Sequence, residues 1–360
     1  MANQNPNPKL AFVAYDLGPS NLLDKVAAEF PSSTRFFGSG GRTPMPSKDE
    51  IVRAVYAADG VVVGISSALD KIDYEAWTAC CAFDNGKPVA IIADTFGTLS
   101  KRFADQVTGY AHLGLVVSPA EVAGAQELMP HATIVAVGNP SWEAYFKPAS
   151  RADARKLIGA TDDEMVVLVP GTKKPAFNGV MLMSVAGAMQ RLAEAAPTRG
   201  PFRLVFAPHP GEKEIVSPEV WEVQEYFPAI KVQVLSGIKT DDILPGVDNV
   251  FDLGQSSAGM HAIARRIPLV AVKVPGSAEY LLRETGQSES FVAAHRASIK
   301  PQSPAVLGSI LQALCDDSNS IWGEQRKAQE QFMPSMTSGS AVAVIASALR
   351  GMVAKHQSAR

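Results

Sequence analysis

Two segments in the second half of this 360-residue chain carry residue types that can hold an anion. Phe206-Ala-Pro-His-Pro-Gly-Glu212 overlaps the apolar run 204–207, and Gly254-Gln-Ser-Ser-Ala-Gly-Met-His-Ala262 follows the apolar run 250–253. Both runs read as parallel strands, and the second turns through Gly254 directly into a helix over 257–264. A strand, a small polar turn and a helix N-terminus aim free backbone N–H groups and the positive end of the helix dipole at one spot. Ser256 and Ser257 add hydroxyl donors beside Gln255, and His209 with Pro210 stands on the neighbouring loop, where it could give a donor or a proton. The set suits a phosphate-bearing leaving group. The plain alternatives are an ordinary N-cap for the serines and a solvated turn for His209.

Group transfer at such a place needs a base for the incoming hydroxyl and donors for charge growing on the departing phosphate. Gly171, Thr172 and Lys173 follow the apolar run 165–169 and are expected on the donor side, Lys173 as a point charge; a loop lysine can also be merely solvated. Asp16 ends the first apolar run, in Tyr15-Asp-Leu-Gly-Pro-Ser-Asn21, and Asp94 ends the run 89–93. Either could be the base, and either could instead cap its turn. Gly18, Ser20 and Asn21 are the expected acceptor contacts, and Glu279 is a further donor-side candidate or a helix-start Glu favoured by the dipole. His112, just before a strand, reads as structural and stands next in line as base.

The elements that must position these residues alternate along the chain. Strands are expected at about 10–15, 35–37, 60–65, 89–93, 115–117 and 134–137, with helices between them; Gly18-Pro-Ser-Asn21 reads as the turn into the first helix. A polar Gly/Ser/Pro loop spans 38–47. After Gly138-Asn-Pro140 and two short helices, a second set starts at 165–169 and continues through 204–207, 232–235, 250–253 and 269–272, with a long helix at 180–195. Continuous β-branched runs between amphipathic helices predict parallel sheets covered on both faces. The fold class is therefore α/β, with two Rossmann-like doubly wound domains facing a cleft, the ligands lying at strand carboxyl ends.

Composition narrows the function. The net charge of −3, split as −4 over the first 147 residues and +1 over the rest, gives no polyanion-binding footprint and weighs against a DNA acceptor. Cys80, Cys81 and Cys315 form neither a disulfide framework nor metal-ligand spacing. The polar N-terminus lacks a signal-peptide plan, and no apolar stretch reaches the roughly 18 residues of a membrane span, so a cytoplasmic location is expected. No dinucleotide fingerprint or P-loop is present.

Several segments, once placed on these elements, resemble the GT-B class of glycosyltransferases. Ile134-Val-Ala-Val-Gly-Asn-Pro140 resembles the strand and turn that end the first domain of that class. Val166-Val-Leu-Val-Pro-Gly-Thr172 resembles the opening of the donor domain, and the segment 252–270 the part that binds donor phosphates. His209-Pro210 and Ser256-Ser257 are similar to motifs of bacterial sialyltransferases, and Asp94-Thr-Phe-Gly97 with Lys101-Arg-Phe103 to a turn of some polysaccharide-building members. The resemblance implies an acceptor domain over residues 1–147, a nucleotide-sugar donor domain over 148–335, and a C-terminal helix over 336–360 returning to the first domain through Val342, Ile345, Ala346 and Leu349. It implies that Glu279 binds the donor ribose.

The expected activity is transfer of a sugar from a nucleotide-sugar to an acceptor hydroxyl, inverting, with no cofactor. No Asp-x-Asp occurs, so no metal is implied. The acceptor stays open among a glycan, a lipid-linked sugar, a small molecule and a modified DNA base. A nucleotide-sugar 2-epimerase, a DNA-base glycosyltransferase and a non-catalytic nucleotide or glycan binder are the alternatives.

Overall fold

The computed structural model describes residues 7–66, 72–100, 104–172, 174–209, 218–235, 237–254, 256–316, 320–337 and 339–360. The chain forms two compact units, one of residues 1–144 with 336–360 and one of residues 145–335. Each is built on a wholly parallel sheet, as the unbroken apolar runs predict.

In the first unit, strands β1 (Leu10–Ala14), β2 (Thr34–Phe37), β3 (Gly60–Val63), β4 (Val89–Ile92), β5 (Leu113–Val116) and β6 (Thr133–Ala136) lie in the order β2-β1-β3-β4-β5-β6. β1, β3 and β4 are buried at every position, which is why they show no alternation of apolar and polar residues. Helices α1 (Leu17–Ala27), α2 (Lys48–Ala57), α3 (Asp73–Asp84), α4 (Asp105–Thr108) and α5 (Val122–Leu128) join them. The polar loop 38–47 ends in a capping box: Ser47 Oγ accepts the Glu50 N–H at 3.3 Å, and Glu50 accepts the Ser47 N–H at 2.9 Å. The final helix, Ser340–Ser358, belongs to this unit: Ile345, Ala346, Leu349, Met352 and Val353 share a core with Leu10, Phe12 and Leu22. Each of these side chains larger than Ala346, withdrawn from water, contributes about 1.5–3 kcal/mol. Val342 is only half-buried and lies outside that cluster.

The second unit orders β7 (Met165–Pro170), β8 (Phe202–Ala207), β9 (Ile230–Val234), β10 (Asn249–Asp252) and β11 (Leu269–Ala271) as β11-β10-β7-β8-β9. Among its helices are α6 (Arg151–Ile158), α7 (Pro175–Ala195), α8 (Pro218–Tyr226), α9 (Thr240–Ile243), α10 (Ser257–Ala264) and α11 (Ser277–Thr285). α7 buries Met181, Leu182, Val185 and Met189 against Val167, Val169, Leu204 and Phe206.

Two helix starts differ from the sequence reading. α7 begins at Pro175, five residues before the expected start, because proline at the first helical position needs no N–H and has a helical φ already set. α1 begins at Leu17, so Gly18, Pro19, Ser20 and Asn21 form its first turn and not a loop ahead of it.

The strand orders locate the ligand positions. In the first sheet the chain runs from β1 to β2 on one side and then crosses to β3 on the other, so the order reverses between β1 and β3. In the second sheet β8 and β9 lie on one side of β7, and β10 and β11 on the other, so the reversal falls between β7 and β10. Doubly wound sheets take ligands outside the strand carboxyl ends at such points.

Candidate functional site

In the second unit, the turns after β7 and β10 flank the reversal. Gly171 N–H donates to the Ala207 carbonyl at 2.7 Å, and a Cβ on residue 171 would come within 2.8 Å of His209 N. Glycine there lets the β7 turn lie directly against the loop after β8, which brings half-buried His209 to the same edge. Thr172 turns inward on its own loop: its N–H donates to Asn178 Oδ1 at 2.8 Å, and its Oγ1 accepts the Lys174 N–H at 3.0 Å. Asn178, buried in the first turn of α7, also donates to the Thr172 carbonyl at 3.2 Å. Lys173, Pro210 and Gln255 lie outside the described residues.

Across the reversal, β10 ends at Asp252. Gly254 takes φ +82°, and any side chain there would collide with Ser290. Ser256 is the N-cap of α10; its Oγ accepts the Gly259 N–H at 2.9 Å and donates to Asp252 Oδ2 at 2.6 Å. Its hydroxyl is therefore spent inside the turn. Ser257 is exposed, at the first helical position. At the start of α10 the Gly259 and Met260 N–H groups are held by Ser256, which leaves those of Ser257 and Ala258 for an anion; in α7, Pro175 has no N–H and Phe177 donates to the Lys174 carbonyl. Asp252 is buried beneath the α10 turn, and burial pushes its carboxyl up, opposed by hydrogen bonds from Ser256 and Gly254. Glu279 is exposed in the first turn of α11, whose Tyr280 ring meets Phe177 of α7 edge-on at 5.5 Å.

In the first unit, Asp16 follows β1 and Asp94 follows β4, both half-buried. They converge on the start of α1: a Cβ on Gly18 would collide with Asp94 Oδ2, so the Asp94 carboxylate lies against Gly18. Negative charge is favoured at a helix N-terminus. Asp16 is the N-cap residue, yet its side chain makes no capping bond. Pro19 explains this in part, since a cap usually accepts from the second or third helical N–H and proline has none. The Asp94 turn is held by Asn139 Nδ2, which donates to the Asp94 carbonyl at 2.7 Å, and by Glu121 Oε1, which accepts the Gly97 N–H at 2.9 Å. Ser20 is buried and its hydroxyl donates to the Ala14 carbonyl at 3.2 Å, so it faces inward; Asn21 is exposed.

His112 precedes β5 and so stands at the opposite edge of the sheet from Asp94. Its Nδ1 accepts the Val89 N–H at 3.2 Å, and burial together with nearby His356 holds its pKa down. The sequence reading missed Glu75, Ser66, Glu121, Asn139, Asn178 and Asp252. Glu75 is fully buried under the β1 turn: its Oε1 accepts the Tyr15 N–H at 2.9 Å and the Ser66 hydroxyl. Burial raises its pKa to about 7 against those hydrogen bonds, with the charge of Asp16 adding to the rise. One signal was present. Ile72, Glu75, Ala79 and Ala82 repeat at helical spacing, which puts a carboxylate on the apolar stripe of α3. Among the described residues no cluster of His, Cys, Asp and Glu could hold a metal ion, and no helix is long and apolar enough to cross a membrane.

No protein-family model matches the sequence, and comparison with curated proteins gives no match. Solved structures do match over nearly the whole chain. The UDP-GlcNAc 2-epimerase of Neisseria meningitidis bound to UDP-GlcNAc is 13% identical over 94% of this chain and 99% of that one, with a TM-score of 0.53. Medicago truncatula UGT71G1 complexed with UDP-glucose is 9% identical over 98% and 100%, with a TM-score of 0.57. CalG4, the calicheamicin glycosyltransferase, is 13% identical over 97% and 99%, with a TM-score of 0.51. Identities this low speak to fold alone, and the fold is α/β with two Rossmann-like domains of the GT-B architecture.

Proposed function

We propose that this chain is an enzyme acting on a nucleotide-sugar, and that it transfers the sugar to an acceptor hydroxyl. The observation that carries the reading is the β7/β10 reversal of the second sheet: the Gly171 turn, with His209 against it, follows β7, and Ser257 opens α10 after the adjacent β10, so both turns stand at strand carboxyl ends. Such a set would hold a diphosphate, with first-turn N–H groups and a hydroxyl on the phosphate oxygens and His209 giving a proton or hydrogen bond as the leaving group departs. Glu279 would meet the ribose. The likeness to proteins solved with UDP-GlcNAc and UDP-glucose supports a uridine diphosphate donor. The first unit would supply the base. Asp16 and Asp94 converge on the start of α1, and one of them takes the acceptor proton while the other holds the acceptor hydroxyl. Displacement by that hydroxyl would invert the anomeric carbon, with no metal or cofactor in any step.

Epimerisation at C2 is the second reading, favoured by the match to the Neisseria enzyme. The two separate on product. UDP-glucose and UDP-GlcNAc, supplied with and without an acceptor mixture, are followed by mass spectrometry and sugar NMR. Transfer predicts acceptor-dependent UDP release, and epimerisation predicts a 2-epimer with no acceptor present. Asp→Asn at the base should reduce turnover about 10²–10⁴-fold with donor affinity unchanged. Full activity in both Asp16→Asn and Asp94→Asn would remove the first unit from the chemistry.

A further inference from the structure

The Glu75 carboxylate has a fold position and a cost that the reaction as described leaves unused. It is fully buried, and its Oε2 has no hydrogen-bond partner among the described residues. No ion-pair partner for it exists among the described residues either, in contrast to buried Glu164, which meets Arg203 at 2.8 Å. A buried carboxylate without a counter-charge is costly in lost solvation unless it is neutralised. What it does hold is specific. Oε1 takes the Tyr15 N–H at 2.9 Å and the Ser66 hydroxyl, and Ser66 Oγ in turn accepts the Asp16 N–H at 3.2 Å. The turn between β1 and α1 is thus gripped by its backbone from below. The Asp16 side chain, which normally serves as the N-cap at such a position, makes no capping bond.

We propose that Glu75 is a positioning residue for the first unit's carboxylate pair. Through Ser66 it fixes the Tyr15–Asp16 turn by its N–H groups, so that Asp16 is directed to the acceptor instead of to its own helix. The inference rests on the reading of Asp16 or Asp94 as the base, and it holds for either, because the same turn carries Gly18 against Asp94. Among the described residues, Asp16 is the charge that faces Glu75 from the β1 end, and Tyr15, whose N–H Glu75 accepts, stacks its ring at 6.0 Å on that of Tyr74, the residue before Glu75 in α3.

Two measurements on the full chain test this. The first needs no substrate: amide NMR from pH 5 to 9. The Tyr15 and Asp16 resonances should move together with a midpoint near the Glu75 value of about 7. In Glu75→Gln, which keeps an acceptor of the same shape, the movement should vanish in both. In Ser66→Ala it should vanish for Asp16 and persist for Tyr15. Amides that stay still in the parent, or that move alike in Glu75→Gln, overturn the clamp. The second is turnover of UDP-glucose. Ser66→Ala should lower kcat about 10–100-fold at unchanged donor affinity, and Glu75→Gln should lose the neutral-pH step in the kcat profile. An active parent whose kcat ignores both changes refutes the positioning role. A parent inactive on UDP-glucose and UDP-GlcNAc counts against the proposed function and the purpose of the clamp, whereas the amide titration decides by itself whether the clamp exists.

Discussion

Ser256 and Ser257 are adjacent and chemically identical, yet the fold gives them different work. Ser256 is bound on both sides, to Asp252 and to Gly259, while Ser257 is exposed at the first helical position. Ser256→Ala should therefore act as a lost cap, destabilising the protein by about 0.5–2 kcal/mol in urea unfolding. Ser257→Ala should leave stability within about 0.5 kcal/mol and weaken binding of the nucleotide diphosphate by about 1.5–3 kcal/mol in calorimetry. The opposite assignment of effects would mean that the anion is not held at this turn. The Gly-Gln-Ser-Ser pattern was legible as an anion-suited turn from sequence. Which serine keeps its hydroxyl available was not, because it depends on the turn from β10 into α10, which brings Ser256 and not Ser257 onto Asp252. Glu75 was hidden for a related reason: an acid in a first helical turn is the ordinary response to the dipole, and its burial follows from the sheet above it.

At the scale of elements, the inner strands β1, β3, β4 and β7 were readable because they are buried on both faces along nearly their whole length and so appear as runs rich in Val, Ile, Leu and Ala, whereas β2, β6 and β9 are partly exposed. Helix starts were less readable where proline stands at or near them. Pro175 and Pro19 look like breakers, although a helix tolerates proline in its first turn. The connection between β5 and α5 carries a consequence for stability. Glu121, 6% exposed, accepts the N–H groups of Gly97 and Ser118, and burial raises its pKa from 4.5 to about 7. Between those values the folded chain holds a proton that the unfolded chain has released, so stability is highest in acid and falls as pH rises through this window. The loss is on the order of 3 kcal/mol for such a shift, and Glu75 adds a second contribution of the same sign. Urea unfolding at pH 5 and pH 7.5 should show this decline in the parent and a clearly smaller one in Glu121→Gln. An equal decline in both would show that folding does not raise the pKa of Glu121.

For the molecule as a whole, two parallel sheets with their order reversals at β1/β3 and β7/β10 give each unit one place at which a ligand is expected. Of the residues singled out in the sequence, Asp16 follows β1, Gly171 and Thr172 follow β7, and Ser256 and Ser257 follow β10, at those two places. Asp94, His209 and Glu279 follow β4, β8 and β11, His112 stands at the opposite end of its sheet, Ser20 faces inward, and Lys173, Pro210 and Gln255 lie outside the described residues. The sequence could not name the sugar, the base or the acceptor, since these depend on side-chain geometry around sites that many GT-B chains build differently. The central claim is that the second unit holds a nucleotide diphosphate at the β7/β10 reversal. Thermal unfolding of the full chain with UDP, CDP, GDP, TDP and CMP, and with their sugar-linked forms, tests it most directly. A native-state ligand at 100 times its Kd adds about 2.7 kcal/mol of stability. We predict that UDP and a UDP-sugar raise the unfolding temperature and that Ser257→Ala removes most of that rise. No rise with any nucleotide, or a rise that Ser257→Ala leaves intact, would contradict the account.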